Sequence, residues 1–366
     1  MRILIIAPDR TVRGGITTVI EGILASDLSK EYLFEHLSTH RDDISKFGKL
    51  IYGIKSYGRF LIIVFRFKPQ LIHVHSSFGA SFYRKSVIII MSRFFRIKQI
   101  NHIHGGEFDL FYKDAGRLKK KLVKFIYNIP EATILLSRGW LEKYDHNFFQ
   151  NKVFCLSNFA VLPVNSLSAG FGNYAHRKNI VLYLGKVGAK KGAYDIPLIV
   201  EKVAKSISKV HFIISGYGDI EKVARILNEK GCSRMVTFTG WLGPEQKKKW
   251  LLKARVYLLP SYDEGFPMSI LEAMSYGLPI VSTCVGGIPE LVRPEENGLL
   301  YQPGDTDGMA DGIIKLLQNQ DYAIGIGRRN RSKIENGYSL EIYASKLSKI
   351  YRQTALKKIE RGSECR

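Results

Sequence analysis

Long apolar runs are missing from this chain. The longest, around Leu61–Phe67 and Val87–Met91, fall far short of the roughly 18 residues that a membrane-spanning helix needs, so no spanning helix is expected. Cysteine is scarce: Cys155, Cys232, Cys284 and Cys365 show neither metal-ligand spacing nor an obvious pairing. That excludes a disulfide scaffold or a cysteine-rich zinc module and fits a reduced, cytoplasmic protein. The opening segment, Met1-Arg-Ile-Leu-Ile-Ile-Ala-Pro-Asp9, is too brief for a signal peptide and reads as a first buried strand. Internal repeats and low-complexity segments are also lacking.

Acidic residues are in short supply, with 33 Asp+Glu against 55 Lys+Arg, a net charge of +22. Such an imbalance predicts attraction to an anionic partner. The excess is concentrated: Lys46 to Lys124 holds 17 Lys+Arg and 3 Asp+Glu, and 17 − 3 leaves +14 in that segment. Aromatic and aliphatic residues interleave with the charges, as in Lys46-Phe-Gly-Lys-Leu-Ile-Tyr52, Arg93-Phe-Phe-Arg-Ile-Lys98 and Lys119-Lys-Lys-Leu-Val-Lys-Phe125. Basic amphipathic helices of this kind lie on anionic membrane surfaces. A solvated basic face is the plainer alternative for any single run; the clustering favours the membrane. No helix-turn-helix, zinc-finger or RNA-binding signature accompanies the charge, so nucleic acid is not an expected partner.

What is present suits a folded enzyme. With 366 residues, 45% hydrophobic and 24% charged, the chain is long enough for two domains, each with a core. Strand-like and helix-like segments alternate from the start, which predicts parallel sheets covered by helices. Strands are expected at Arg2–Pro8, Tyr32–Ser38, Gln70–Ser76, Lys98–His104, Ala132–Ser137 and Val153–Asn158. The polar segment from Asn165 to Lys178 reads as a linker. The pattern then restarts at Asn179. His73 and His75 alternate with Ile72 and Val74 on one face of a strand. No third metal ligand presents itself in the pattern, so both read as structural or cleft-lining.

The stretch that organises the rest is Tyr262-Asp-Glu-Gly-Phe-Pro-Met-Ser-Ile-Leu-Glu-Ala-Met274. An apolar strand-like run, Arg255 to Ser261, precedes it. A helical pattern, Met268, Ile270, Leu271 and Met274, follows and closes at Gly277 and Pro279. A helix N-terminus at the carboxyl end of a strand seats a phosphate. Glu264 and Glu272 beside it cannot favour a phosphate by charge, but they accept hydrogen bonds from hydroxyls. Polyol acceptors around a diphosphate point to a nucleotide-sugar. This string, with Gly277-Leu-Pro-Ile-Val-Ser-Thr283 and Val285-Gly-Gly-Ile-Pro-Glu290 after it, resembles the retaining glycosyltransferases of family 4, which carry an E-x7-E signature on the α/β GT-B fold.

The resemblance implies two Rossmann-like domains with a deep interdomain cleft: residues 1–165, joined by a last helix at about 340–366, and residues 179–339. It covers nearly the whole chain and is more specific in the second half. It implies that Lys186 and Lys191 neutralise the leaving diphosphate, although arginine is commoner at the first of these positions. Glu264 would hold sugar hydroxyls and Glu272 the ribose. Gly14 and Gly15 match the glycine loop near the diphosphate, and His104, before Gly105, lies against the donor sugar. Gly216, Gly240, Trp241 and the run Phe266, Pro267, Met268, Ser269, Ile270 complete the donor site. Glu107, Asp109 and Arg138 are candidate acceptor contacts.

The activity so implied is transfer of a hexose, with retention, from a nucleotide-sugar to a lipid-linked saccharide in bacterial surface-polysaccharide assembly. A UDP-sugar is the expected donor, with no metal or cofactor, and the protein would sit peripherally on the inner face of the plasma membrane. A GDP-mannose-dependent mannosyltransferase and a GT-B nucleotide-sugar epimerase are the alternatives. A phosphorylase of the same architecture would need a lysine set for a pyridoxal phosphate Schiff base, and this sequence presents none. A non-enzymatic nucleic-acid or membrane-binding protein would leave His104, Glu264 and Lys191 unexplained.

Overall fold

A computed structural model describes residues 1–106, 109–142, 144, 148–163 and 177–356. The chain divides into two units, Met1–Ser157 together with the chain from Leu340 onward, and Asn158–Ser339. Each is built on a six-stranded, all-parallel sheet. Parallel strands need helical crossovers, so both faces of each sheet are covered and its strands read as near-continuous apolar runs.

The first unit has strands β1 (Arg2–Ala7), β2 (Leu33–Ser38), β3 (Leu71–Ser76), β4 (Lys98–Ile103), β5 (Ala132–Leu135) and β6 (Lys152–Cys155), in the order β2-β1-β3-β4-β5-β6. Each expected strand is present; β1, β4, β5 and β6 end one to three residues earlier where the chain turns into a loop, and β2 and β3 begin one residue later. Helices α1 (Gly15–Ala25), α2 (Lys46–Phe67), α3 (Ala80–Phe94) and α4 (Arg117–Tyr127) are among the crossovers. Ser45 caps α2 by accepting from the Gly48 N–H at 3.1 Å, and Lys68 ends it in the left-handed conformation. One core joins α2, α3 and α4 to the sheet through Phe60, Val64, Phe82, Ile89, Val123 and Tyr127. The late helix Leu340–Ala355 belongs to this unit. Its Ser348 hydroxyl meets Tyr32 at 2.7 Å, and the Ala355 carbonyl accepts from Lys98 at 2.7 Å.

On the face of β3 and β4 away from that core lie His73, His75, His102 and His104. In the β3–β4 register His75 stands opposite His102. The first three side chains are fully buried and His104 is half-buried at the strand end. Burial lowers His73 and His104 from the ordinary 6.5 to about 3, and holds His75 and His102 well below their usual range. All four are therefore neutral at pH 7. The unfolded chain takes up these protons near pH 6.5; in the folded chain His73 and His104 resist them until about pH 3, and His75 and His102 stay well below their usual range. Folding stability is full above pH 6.5 and falls as the pH drops through that window, by about 1.4 kcal/mol per unit of pH for each such group. Urea titrations from pH 7.5 to 5 should show stability falling faster than one group allows. A flat profile would contradict the burial of these rings.

The second unit has β7 (Ile180–Leu184), β8 (His211–Ser215), β9 (Val236–Gly240), β10 (Val256–Leu259), β11 (Ile280–Thr283) and β12 (Gly298–Tyr301), in the order β12-β11-β10-β7-β8-β9. The strand order reverses between β7 and β10. In open α/β sheets ligands bind beyond the carboxyl ends of the strands at such a reversal. Helices α5 (Ile196–Ser206), α6 (Pro244–Lys253) and α7 (Met268–Ser275) flank this sheet. Cys155, Cys232 and Cys284 are free thiols. Among the described residues, no helix is long and apolar enough to cross a membrane.

Candidate donor site of the second unit

Beyond β7 and β10 the chain forms loops held together by backbone contacts. Gly185 N–H donates to the Ser215 carbonyl at 3.0 Å, Val187 N–H to Tyr217 at 2.8 Å, and Tyr262 N–H to Lys190 at 2.9 Å. These approaches require glycine. At Gly192, with φ +65°, a Cβ would lie 1.8 Å from the Pro260 carbonyl oxygen; at Gly286, with φ +55°, it would lie 1.8 Å from that of Glu264. No side chain fits at either place.

The clasp brings Lys191 and Glu264 together. Lys191 Nζ lies 2.6 Å from Glu264 Oε1, and the Ser261 hydroxyl donates to the same oxygen at 2.7 Å. Glu264 is buried while Lys191 keeps about a third of its side chain in solvent. A buried carboxylate paired in this way has its position fixed, because an unpaired one would cost far more. Lys186, on the same loop, is exposed, and its ammonium has no ion pair among the described residues.

Glu272 lies on α7 and does not share these partners. Lys247, from α6, pairs with it at 2.5 Å. Sequence reasoning missed both Lys247 and Ser261. Lys247 is the first of three consecutive lysines, and only the packing of α6 selects it. Helix α7 has Pro267 at its N-cap and no side-chain cap, so its first N–H groups are left for another partner. Phe266 and Ile270 are buried in the core. With their side chains in the core, their backbone groups are what they offer a ligand. Pro267 is buried too, whereas Met268 and Ser269 are partly exposed. The Phe266 ring stacks on Tyr338, and its carbonyl accepts from Asn158 at 2.7 Å.

Gly216, with φ +156°, passes under the Gly185 carbonyl, and Gly240, with φ +67°, ends β9. Beside them the exposed rings of Tyr217 and Trp241 stand 5.9 Å apart and tilted by 53°, an aromatic edge at the end of the sheet. Tyr217 was not singled out by the sequence. Asp305-Thr306-Asp307 has the spacing of a metal-binding pair but is otherwise used. Asp305 caps the next helix by accepting from Gly308 N–H at 2.9 Å, and Asp307 pairs with Lys202 on the surface.

The remaining candidates lie in the first unit. Gly14 and Gly15 are exposed at the start of α1, which carries no side-chain cap. His104 follows β4, its Nε2 2.9 Å from His75 Nδ1. A Cβ at Gly105 would touch Phe78 at 3.0 Å. Arg138 is exposed at the start of a short helix after β5. Glu107 lies outside the described residues, and of Asp109 only the backbone is described, in a π-helical turn. The reading that His73 and His75 lack a third partner is corrected: ring nitrogens of His73, His75 and His102 lie within 4.8 Å of one another.

Residues 178–319 match the family model described as glycosyl transferases group 1. Among curated proteins, the amylovoran biosynthesis glycosyltransferase AmsK of Erwinia amylovora is 30% identical over 266 residues, covering 70% of this chain and 64% of that protein. The 2-deoxystreptamine N-acetyl-D-glucosaminyltransferase of Niallia circulans is 28% identical over 183 residues, covering 48% and 47%. The matched part thus spans about half to two thirds of these relatives. Among solved structures, sucrose-phosphate synthase from Thermosynechococcus elongatus superimposes with a TM-score of 0.78 at 19% identity, over 96% of this chain and 98% of that one. Anabaena HepE in complex with UDP-glucose gives 0.73 at 16%, over 96% and 100%. The fold is GT-B, and the matches together support a glycosyltransferase.

The glycine clasp and the open loop give contrasting expectations for stability. Gly286→Ala should cost the second unit at least about 3 kcal/mol, because strain and clash coincide there. Gly14→Ala, with nothing within 4 Å of the added carbon, should cost about 1 kcal/mol or less. Calorimetric melting of both variants checks the pair, and equal costs would refute the described backbone.

Proposed function

We propose that the protein is a retaining glycosyltransferase that moves a hexose from a UDP-sugar to a lipid-linked saccharide acceptor in surface-polysaccharide assembly. The observation that carries this reading is the pairing of Lys191 with the pinned Glu264 at the strand-order reversal of the second sheet, beside the unpaired Lys186. Two ammonium groups and the open N–H groups of α7 suit a departing diphosphate. The leaving group is thereby stabilised by the chain's own cations, without metal or cofactor. Glu264 Oε1 already accepts two hydrogen bonds, which leaves its other oxygen for sugar hydroxyls and makes it a poor nucleophile. A front-face route through an oxocarbenium-like state is therefore preferred to a covalent glycosyl-enzyme. Glu272, held by Lys247, serves the ribose hydroxyls, and the edge of Tyr217 and Trp241 serves the base. From the first unit, His104 serves the transferred hexose.

The UDP-glucose held by HepE supports a uridine nucleotide over GDP-mannose. The test is a panel of nucleotide-sugars, scored for release of nucleoside diphosphate and for a rise in melting temperature by mass action. One UDP-sugar should do both. Lys186→Ala, at an exposed position, should keep the fold but cut turnover on that donor by roughly 10-fold or more, as loss of one charge-stabilising donor does; Glu272→Gln should weaken donor binding. Silence across the panel would sink the proposal.

The acceptor side rests on the surface of the first unit. Helices α2, α3 and α4 contain 13 Lys+Arg and no Asp or Glu. They pack in succession, with Phe82 of α3 against Tyr127 of α4 at 5.5 Å and Phe65 of α2 against Phe95, at the end of α3, at 5.8 Å. Phe47, Ile54, Phe65, Phe94, Leu118 and Phe125 on these elements are exposed. Exposed apolar side chains amid an excess of cations fit peripheral binding at an anionic bilayer surface, as on the inner face of the plasma membrane. The protein should float with vesicles containing anionic lipid, lose that binding as salt rises, and ignore neutral vesicles. Equal binding to both kinds of vesicle would overturn the electrostatic part.

A further inference from the structure

The four histidines of β3 and β4 fall into two hydrogen-bonded pairs. His73 Nδ1 meets the Tyr351 hydroxyl at 2.8 Å, and His73 Nε2 meets His102 Nδ1 at 3.3 Å. His75 Nδ1 meets His104 Nε2 at 2.9 Å. Two ring nitrogens, His102 Nε2 and His75 Nε2, are buried without a partner. A buried polar nitrogen left unpaired costs about 1–3 kcal/mol, so this pair of orphans calls for an occupant between them.

The protons can be placed by counting. Tyr351 is fully buried, and its hydroxyl has one hydrogen-bond partner among the described residues. If it accepted from His73, its own proton would be stranded, so it donates to His73 Nδ1. A neutral imidazole has one donor and one acceptor nitrogen. His73 then donates through Nε2 to His102 Nδ1, and His102 carries its proton on Nε2. At the other end His75 and His104 share one proton on the axis between them. If His75 donates from Nδ1, its Nε2 becomes an acceptor, opposite in sense to the donor on His102. One ring nitrogen from each of His73, His75 and His102 lies within 4.8 Å of the other two, and across a gap of that order one water makes two hydrogen bonds of about 2.8 Å.

We propose that Tyr351, His73, His102, one buried water, His75 and His104 form a single polarised relay that fixes His104 as the Nδ1–H tautomer. His104 is the member that reaches the surface, and its Nδ1 has no hydrogen-bond partner among the described residues. The relay turns that nitrogen outward as a neutral donor, suited to an oxygen of a bound sugar. Tyr351, His73, His75 and His102 are positioning residues. The assignment of a hexose to His104 rests on the reading above; the tautomers do not.

A metal ion is the competing occupant, and the surroundings oppose it. The cluster contains no carboxylate, and the buried Lys85 ammonium donates to the His75 carbonyl. Both ring nitrogens of His73 are already engaged, Nδ1 with the Tyr351 hydroxyl and Nε2 with His102 Nδ1, so His73 has no lone pair left for an ion. A divalent cation would enter as uncompensated charge beside another cation.

The experiment is nitrogen–proton correlation spectroscopy of the full chain with 15N-labelled histidine at neutral pH, assigned by single His→Gln variants. His104 and His75 should be protonated on Nδ1, and His73 and His102 on Nε2. Tyr351→Phe removes the proton that sets the direction, and His73, His102 and His104 should then become tautomer mixtures. A wild-type His104 protonated on Nε2 overturns the proposal, as does a Tyr351→Phe spectrum with unchanged tautomers. Stoichiometric zinc in the purified protein, found by elemental analysis, also overturns it. Because none of these readouts needs a donor, failure of the nucleotide-sugar panel leaves them interpretable.

Discussion

In the second unit, several loops must pass one another at the carboxyl end of a parallel sheet with no room for side chains between them. Gly216 lies under the Gly185 carbonyl, Gly192 under that of Pro260, and Gly286 under that of Glu264. Parallel strands all deliver their ends to the same side, so the loops that follow them crowd there. Glycine is what turns the crowding into registered contact. The consequence is chemical as well as steric. Lys191 and Glu264 are 73 residues apart in the chain, yet they meet at 2.6 Å because the loops carrying them are clasped backbone to backbone. A site so built depends little on side-chain packing nearby, and a functional lysine can stay partly in solvent while its carboxylate partner is fixed.

The sequence made the sheets legible because a doubly wound fold writes each strand as a short apolar run followed by a turn and a helix. Boundaries moved by one to three residues, as at β4, where the expected His104 falls just beyond the last ladder residue, Ile103. Glu264, Glu272, Lys186 and Lys191 could be named in advance because one contiguous motif and one glycine loop carry them. Partners supplied by other elements could not. Lys247 is indistinguishable in sequence from Lys248 and Lys249 until α6 packs beside α7. His102 joins His73 and His75 only through the β3–β4 register, which depends on non-local pairing rather than on spacing. The burial of Phe266 and Ile270 was not legible in the motif, which marks a backbone that approaches a ligand and not which side chains turn into the core.

The two units deal with charge in opposite ways. The second holds its functional carboxylates in explicit ion pairs, Glu264 with Lys191 and Glu272 with Lys247. The first has few acids to pair. Its helices α2, α3 and α4 carry cations and no acid of their own; Lys49 and Arg66 find acids outside these helices, in Asp42 and Glu35. Exposed phenylalanines among the cations add apolar area that water does not reward, and at an anionic surface charge attraction and burial of those rings would act together.

Inside the first unit the same shortage of acids shapes the histidines. A protonated imidazole near Lys85 would have no carboxylate to answer it, and burial, with the Arg84 charge nearby, brings Lys85 itself down to about 7. Neutral rings avoid that cost and still supply a donor and an acceptor each, so they can line a sheet face as a hydrogen-bonded column where charged groups could not. The arrangement exchanges acid tolerance for constancy: the protons cannot be added near neutral pH without unfolding, and for the same reason the column keeps one protonation pattern across the physiological range. A hydrogen-bond donor at His104 held in this way does not vary with small changes in pH, unlike an imidazole left at its ordinary value, which would be partly charged under the same conditions.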